Sequence, residues 1–308
     1  MTTDADRAVF SVDFELFSQT PAYRGAAGEA DDPAVGLGAA DFLRETLDGH
    51  GATATFFVVS SVAERHPDTV RALAAAGHEI GSHTHSHRLL SALDSGERRR
   101  EVEQSRALLE RVTGRSVAGF RAPAFDVPRG TFEALAAAGY GYDSSVAPCR
   151  RIPGWYGGEH DVRRLCPASR IDPDAPASLA ELPVAVMPGV GLPLTGTWLR
   201  FFGVRYTLLG MRLLARRGIA PVLYVHPWEL VDLPAVEGVP KRVYVRTGAW
   251  MRRAVERILA APFEFVPARA VAADGVEAAG GTSPDSGSTT DPDPGPGTEA
   301  DADPEDRS

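Results

Sequence analysis

From residue 8 to residue 266 the chain alternates short apolar runs with helix-patterned stretches, and this alternation constrains the fold more than any other feature. Ala8 to Phe14 reads as an apolar strand that ends in acidic residues. Leu37 to His50 has helical spacing. Thr53 to Val59 (TATFFVV) is rich in β-branched and aromatic side chains, as a buried strand should be. Pro67 stands where a helix would begin and Gly77 where it would stop. The same logic predicts a strand through HEIGSH, a long charged helix from Glu97 to Val112, a strand and turn at VAGFRAP, and a helix from Thr131 to Ala138. Pro221 to Val225 and Phe263 to Val266 read as strands on either side of a helix from Ala249 to Leu259. Strand–helix units of this length imply parallel strands with helical crossovers, in a barrel or an open doubly wound sheet. Residues 148–203 break the rhythm with Pro, Gly and Trp, and read as an elaborated segment beside the site.

A length of 308 residues with 44% hydrophobic and 24% charged content suits one large α/β domain or two small ones. From about Val271 the composition shifts to Pro, Gly and Asp with almost no large apolar side chain, too little to offset chain entropy. The expected organisation is therefore a catalytic domain over 1–270 and a disordered acidic tail over 271–308, whose removal after about Ala270 should leave folding intact. Cys149 and Cys166 are too few for a disulfide framework and lack CxxC spacing, so reduced thiols are expected. The N-terminus is acidic, with no signal-peptide pattern, and no apolar run is long enough to span a bilayer, so the expected location is the cytoplasm. The net charge is −9 and Lys241 is the only lysine, which fits both GC-rich coding and a salt-adapted acidic surface. Without a basic stripe in the sequence, a nucleic-acid partner is not expected. No glycine-rich phosphate loop follows the first strand, which argues against nucleotide binding.

The polar candidates fall at the C-terminal ends of strands, where a barrel places its active site: Asp13 and Glu15, His83, Arg121, Asp143 and His226. His83, His85 and His87 lie in SHTHSH. Four-residue spacing lets His83 and His87 approach one metal from a helical turn, whereas alternate histidines would line one face of a strand, and spacing does not separate the two. His85 reads as a supporting or surface residue. Two histidines leave a catalytic metal site short of a ligand, usually a carboxylate, and Asp13 and Glu15 in SVDFE point to the same side of their strand. The aromatic residues Trp155, Tyr156, Trp198 and Trp228 offer faces for sugar rings, although most aromatics are core; at most one is expected to touch substrate.

SVDFE, TATFFVV followed by AERHPDTVRALAAAGHEIGSHTHSH, GFRAPAF, YDSSVAP and LYVHPWEL together resemble the polysaccharide deacetylases of carbohydrate esterase family 4, the NodB homology domain. They are most similar to the branch associated with exopolysaccharide and exosortase systems. The motifs occur in family order over roughly residues 8 to 230. The resemblance implies a distorted (β/α) barrel of about seven strands and a metal-dependent hydrolase that removes N-acetyl groups from amino sugars of a glycan. It places His83 and His87 as ligands of zinc or another divalent ion. It also makes Asp13 the catalytic base, Arg121 the arginine that orients it and His226 the general acid. The family's second aspartate in the first motif is replaced by Phe14, so Glu15 becomes the substitute ligand. Asp143 would tune charge, the backbone N–H near Ala124 would face the oxyanion, and Trp228 would contact the carbohydrate. Two other readings remain: an amidohydrolase for a non-sugar C–N bond, and a glycan-binding homologue without catalysis.

Overall fold

The structure, a computed structural model, describes residues 7–28, 34–151, 157 and 160–280. Trp155, Tyr156 and most of the expected tail, from 281 onward, lie outside the described residues.

The described chain opens with β1 (Arg7–Phe14), whose side chains are almost all buried because the strand is paired on both sides. Two helices follow, α1 (Pro21–Ala27) and α2 (Ala39–Gly49), then β2 (Thr55–Val58), α3 (Ser60–Arg65), α4 (Pro67–Ala75) and β3 (Glu79–Ser82). The long helix α5 (Ser95–Thr113) starts in a capping box, in which Asp94 accepts the Glu97 amide and Glu97 accepts the Asp94 amide. It ends at Gly114, which takes the left-handed conformation that suits glycine. Beyond it come β4 (Gly119–Phe120), α6 (Thr131–Ala137), β5 (Tyr142–Asp143), β6 (Cys166–Pro167) and β7 (Ala180–Glu181). Two helices in tandem, α7 (Gly196–Phe202) and α8 (Val204–Ala215), lead to β8 (Val222–Val225), α9 (Ala249–Leu259), β9 (Glu264–Phe265) and α10 (Ala268–Gly280).

The strands run in the order β6-β7-β5-β4-β3-β2-β1-β8, with β9 pairing the start of β1. Every pairing is parallel except β6 with β7. Beyond the free edge of β8, Ala185 donates its amide to the Val222 carbonyl and Thr195 bridges to Tyr224, so the irregular segment curls toward closing the barrel. This is the distorted (β/α) barrel expected from the motifs, with eight strands on the path in place of about seven. Parallel pairing aligns the C-terminal ends of β1, β2, β3, β4 and β8 at one rim, which carries the polar candidates.

The opposite rim is sealed by α10. Thr55 Oγ1 accepts the Ala268 amide at 2.7 Å, and Glu79 accepts the Arg269 amide at 3.0 Å, the Thr55 hydroxyl and the Tyr142 hydroxyl. Burial pushes the Glu79 carboxyl above its usual range, although its hydrogen bonds pull the other way. Val271 and Ala272 are buried beside Val9, Tyr142, Val184 and Val222, and Arg7 pairs with Asp274 at 2.7 Å. The boundary expected at residue 270 therefore falls inside an ordered helix. Polar composition hid the two small apolar residues that anchor it. Cys149 and Cys166 are free thiols, as expected. No helix among the described residues is long and apolar enough to cross a membrane.

Candidate active site

A cleft of about 620 Å³ opens at the C-terminal rim, with Asp13, Glu15, His83, His87, His226 and Trp228 on its walls. The SHTHSH segment leaves β3 as neither helix nor strand. Thr84 and His87 both take positive φ, at 63° and 57°, a conformation that costs a non-glycine residue energy and needs support. That support comes from two charged side chains. Glu101, on α5, accepts the His85 amide, the Ser86 amide and the Ser86 hydroxyl at 2.6–2.9 Å. Arg24, on α1, donates to the His87 and Ser86 carbonyls at 2.7 and 3.0 Å.

The two imidazoles are oriented from behind. His83 Nδ1 lies 2.7 Å from the Arg121 carbonyl, and His87 Nδ1 lies 2.9 Å from the Gln19 carbonyl. A carbonyl only accepts, so each Nδ1 carries the proton and each Nε2 presents a lone pair. These Nε2 atoms face one another at 3.2 Å, and a Glu15 oxygen closes on His87 Nε2. Among the described residues, Glu15, His83 and His87 are the one group whose ligand atoms converge within 4.8 Å. Two imidazole lone pairs and a carboxylate aimed at one point repel unless a cation stands between them, so the donor set fits a divalent metal.

Electrostatics agrees with the geometry. Burial by itself raises the Glu15 carboxyl, but its contact with His87 above all, then His226 and His83, outweighs burial and holds Glu15 well below the usual carboxylate range. Burial pushes His83 down to about 4, against the pull of Asp13, which keeps it neutral and able to ligate. The Trp228 indole donates to the other Glu15 oxygen at 3.0 Å.

Asp13 stands apart from that triad. Arg121, fully buried, donates through Nη1 to Asp13 at 2.7 Å and to Ser11 at 2.9 Å, and through Nε and Nη2 to Ser144. Its guanidinium lies over the Phe57 ring at 4.2 Å. Across the cleft, His226 Nδ1 lies 3.2 Å from Glu229, which is itself held by Arg200 Nε at 2.7 Å. Burial alone would lower the His226 imidazole; the hydrogen bond and charge of Glu229, helped by Glu15 and Asp13, push it up to about 9. Gly196 is required beside this pair, because a Cβ there would sit 2.0 Å from Glu229 Oε2.

Residues 39–142 match the family model for polysaccharide deacetylase, and residues 144–273 match a domain of unknown function (DUF3473). Residues 39–142 carry a polysaccharide deacetylase domain. The second match is consistent with the exopolysaccharide-associated branch. A peptidoglycan-N-acetylglucosamine deacetylase of Bacillus cereus is 34% identical over 81 residues, 26% of this chain and 30% of that protein. A chitooligosaccharide deacetylase of Rhizobium leguminosarum is 41% identical over 63 residues, 20% of this chain and 29% of that protein. The aligned stretch thus spans under a third of either relative. A solved structure described as a putative polysaccharide deacetylase from Mycobacterium smegmatis superposes with a TM-score of 0.58 at 26% identity, covering 89% of this chain and 92% of that one.

The expected site residues are brought to one cleft, with two whose contacts point elsewhere. Asp143 is fully buried behind the cleft, because its strand register sets it beside Glu181 of β7. It accepts the Ser145 hydroxyl at 2.6 Å and the Ser145 amide, while Ser145 Oγ accepts the Ala122 amide. Its contacts thus support the RAP turn, and no hydrogen bond joins it to Arg121. Trp228 lines the cleft, but its indole N–H is committed to Glu15 and its ring stacks on His226 at 5.0 Å. Its position is that of a ligand holder more than a sugar platform. Ala124 lines the wall with φ at 52°, in a turn that bends the backbone toward the cleft. Phe14 faces the core against Phe56, which leaves Glu15 to supply the carboxylate. His85 bonds to Ser60 and Gln104 on the outer side, as a supporting residue. The sequence reading missed Glu101, Arg24, Arg200 and Glu229; of these only Glu229, inside HPWE, carried any signal.

Proposed function

We propose that this protein is a metal-dependent N-deacetylase acting on amino sugars of a polysaccharide or related glycan. The observation that carries the reading is the convergence of Glu15, His83 and His87 in one cleft with the Asp13–Arg121 pair and His226. The polysaccharide deacetylase match and the deacetylase names of the relatives support the substrate class. Two imidazoles and one carboxylate suit zinc, which when bound would polarise the acetyl carbonyl and acidify a water. Asp13, oriented by Arg121 through one oxygen, has the other available to take a proton from the attacking water. His226, kept charged by Glu229, donates a proton to the leaving nitrogen. A backbone N–H near Ala124 faces the developing oxyanion. Glu15 in ligand geometry counts against the reading as a glycan binder without catalysis, whose motive was the missing aspartate at Phe14.

The test is acetate release from N-acetylated oligosaccharides by protein supplied with zinc. Asp13→Asn keeps the shape and loses a strong base; it should retain metal and lose roughly a hundredfold or more in turnover. Glu15→Gln should weaken metal affinity, with activity partly restored by excess zinc. Metal loss in the Asp13 variant with no rescue of the Glu15 variant would reverse the two roles. Unchanged turnover in both would overturn the mechanism.

A further inference from the structure

The sequence shows no basic stripe, yet the fold builds one. In a chain of net charge −9, no Asp or Glu occurs between Glu181 and Glu229, nor between Glu237 and Glu256. These two stretches pack together: Arg200 donates to the Val243 and Val245 carbonyls, and Arg246 donates to the Arg200 carbonyl. On the outer side of α7 and α8, Trp198 stacks on Phe202 at 5.5 Å, and Phe202 lies 4.9 Å from Tyr206. Leu209 continues the line one turn on. Phe202 is 50% and Leu209 53% exposed, the two most exposed large apolar side chains among the described residues, and Val245 is exposed on the neighbouring stretch. Arg205, Arg212, Arg216 and Arg217 are exposed along the same helix or just past it, and none forms an ion pair among the described residues.

We propose that this face docks the protein on an anionic lipid surface. An apolar ridge flanked by arginines along a helix too short and too charged to span is the pattern of an element lying in the headgroup region. The arginines attract acidic headgroups while Phe202 and Leu209 enter the acyl boundary. A second copy is disfavoured as occupant, since a two-fold contact would press the same arginines against each other. A neutral soluble glycan could meet the aromatic members of the ridge but would leave Leu209 and the flanking arginines without a complement. The face also adjoins the cleft: Thr197, next to Trp198, and Arg242 both line it. Docking would therefore hold the cleft at the surface, where lipid-linked material is found. The inference does not depend on the reaction performed in the cleft.

Cosedimentation of the full chain with vesicles tests it, because it needs no turnover. Phosphatidylcholine vesicles with about a quarter phosphatidylglycerol should bind the protein at low salt, pure phosphatidylcholine should bind it far less, and added salt should release it. Phe202→Glu with Leu209→Glu should weaken binding roughly tenfold or more with an unchanged melting temperature. Arg205→Glu with Arg212→Glu, at exposed positions, should weaken it similarly and serves if the first variant folds poorly. Val190→Glu, at an exposed apolar position on a separate turn, should bind as wild type. No binding to the anionic vesicles, equal binding to both compositions, or wild-type binding by both face variants would overturn the proposal. So would self-association through this face, abolished by the same substitutions, in protein that ignores vesicles.

Discussion

Glu101→Ala should weaken metal binding without touching a ligand. The carboxylate accepts three hydrogen bonds from His85 and Ser86, and it is half-buried, which argues for the low end of charged hydrogen bonds, about 1.5 kcal/mol each. Against them stands the left-handed backbone of Thr84 and His87, which costs about 1 kcal/mol apiece. The difference, about 2.5 kcal/mol, is what holds the loop in its ligating form beyond the two bonds from Arg24. Without Glu101 the loop relaxes, and the metal must restore the strained form on binding. The expected result is a metal Kd raised roughly 10- to 100-fold, in line with the loss of groups that orient ligands. Isothermal titration or competition with a fluorescent chelator reads this directly. Turnover at saturating metal should recover most of its wild-type value, because Glu101 touches no reacting group. A Kd within twofold of wild type would refute the reasoning, and so would a turnover defect that excess metal leaves intact.

Two further outcomes follow from buried groups. Glu181 is paired in register with Asp143 and fully buried; burial and the Asp143 charge raise its pKa well above the usual range, so it holds a proton. A carboxyl raised in the folded state contributes stability below about pH 4.5 and loses it as pH rises toward the folded value. Glu181→Gln, which keeps a donor toward Asp143, should therefore gain stability relative to wild type between pH 5 and pH 8 in thermal melts; a pH-independent difference would exclude this pairing. Truncation after Gly280 should leave the melting temperature unchanged. Truncation after Ala270 removes buried Val271, about 2 kcal/mol, and should lower the melting temperature by roughly 4–8 °C; equal melting temperatures would show that α10 contributes nothing.

The parallel barrel was legible because β1, β2 and β8 are long enough to show largely apolar runs, and β3, with Ile80 as its one large apolar residue, follows directly on the helix stop at Gly77. The strands β6 and β7 span only two residues each, too few for any periodicity to register. Helix α8 was obscured by Gly210, a helix-weakening residue that is there because a Cβ would sit 2.6 Å from Leu194. At the site, motifs located Asp13, Glu15, His83, Arg121 and His226, which lie at or next to strand ends, and His87, in the loop that follows β3. SHTHSH left helix and strand geometries open, and the loop adopts neither: backbone strain sustained by Glu101 and Arg24 lies outside any periodicity rule. The partner of Glu229 is Arg200, nearly thirty residues upstream on another element, and one sequence offers no means of pairing them.

The way α10 is capped has a consequence for the order of assembly. Its first amides are received by Thr55 and Glu79, more than 180 residues earlier, and those acceptors stand side by side only once β2 and β3 have paired. The last helix can therefore dock only on a sheet already formed, and contacts so distant in sequence are slow to close. During synthesis the floor of the barrel stays open until α10 has emerged, so a chain stalled or cut short before it would expose core at this seam.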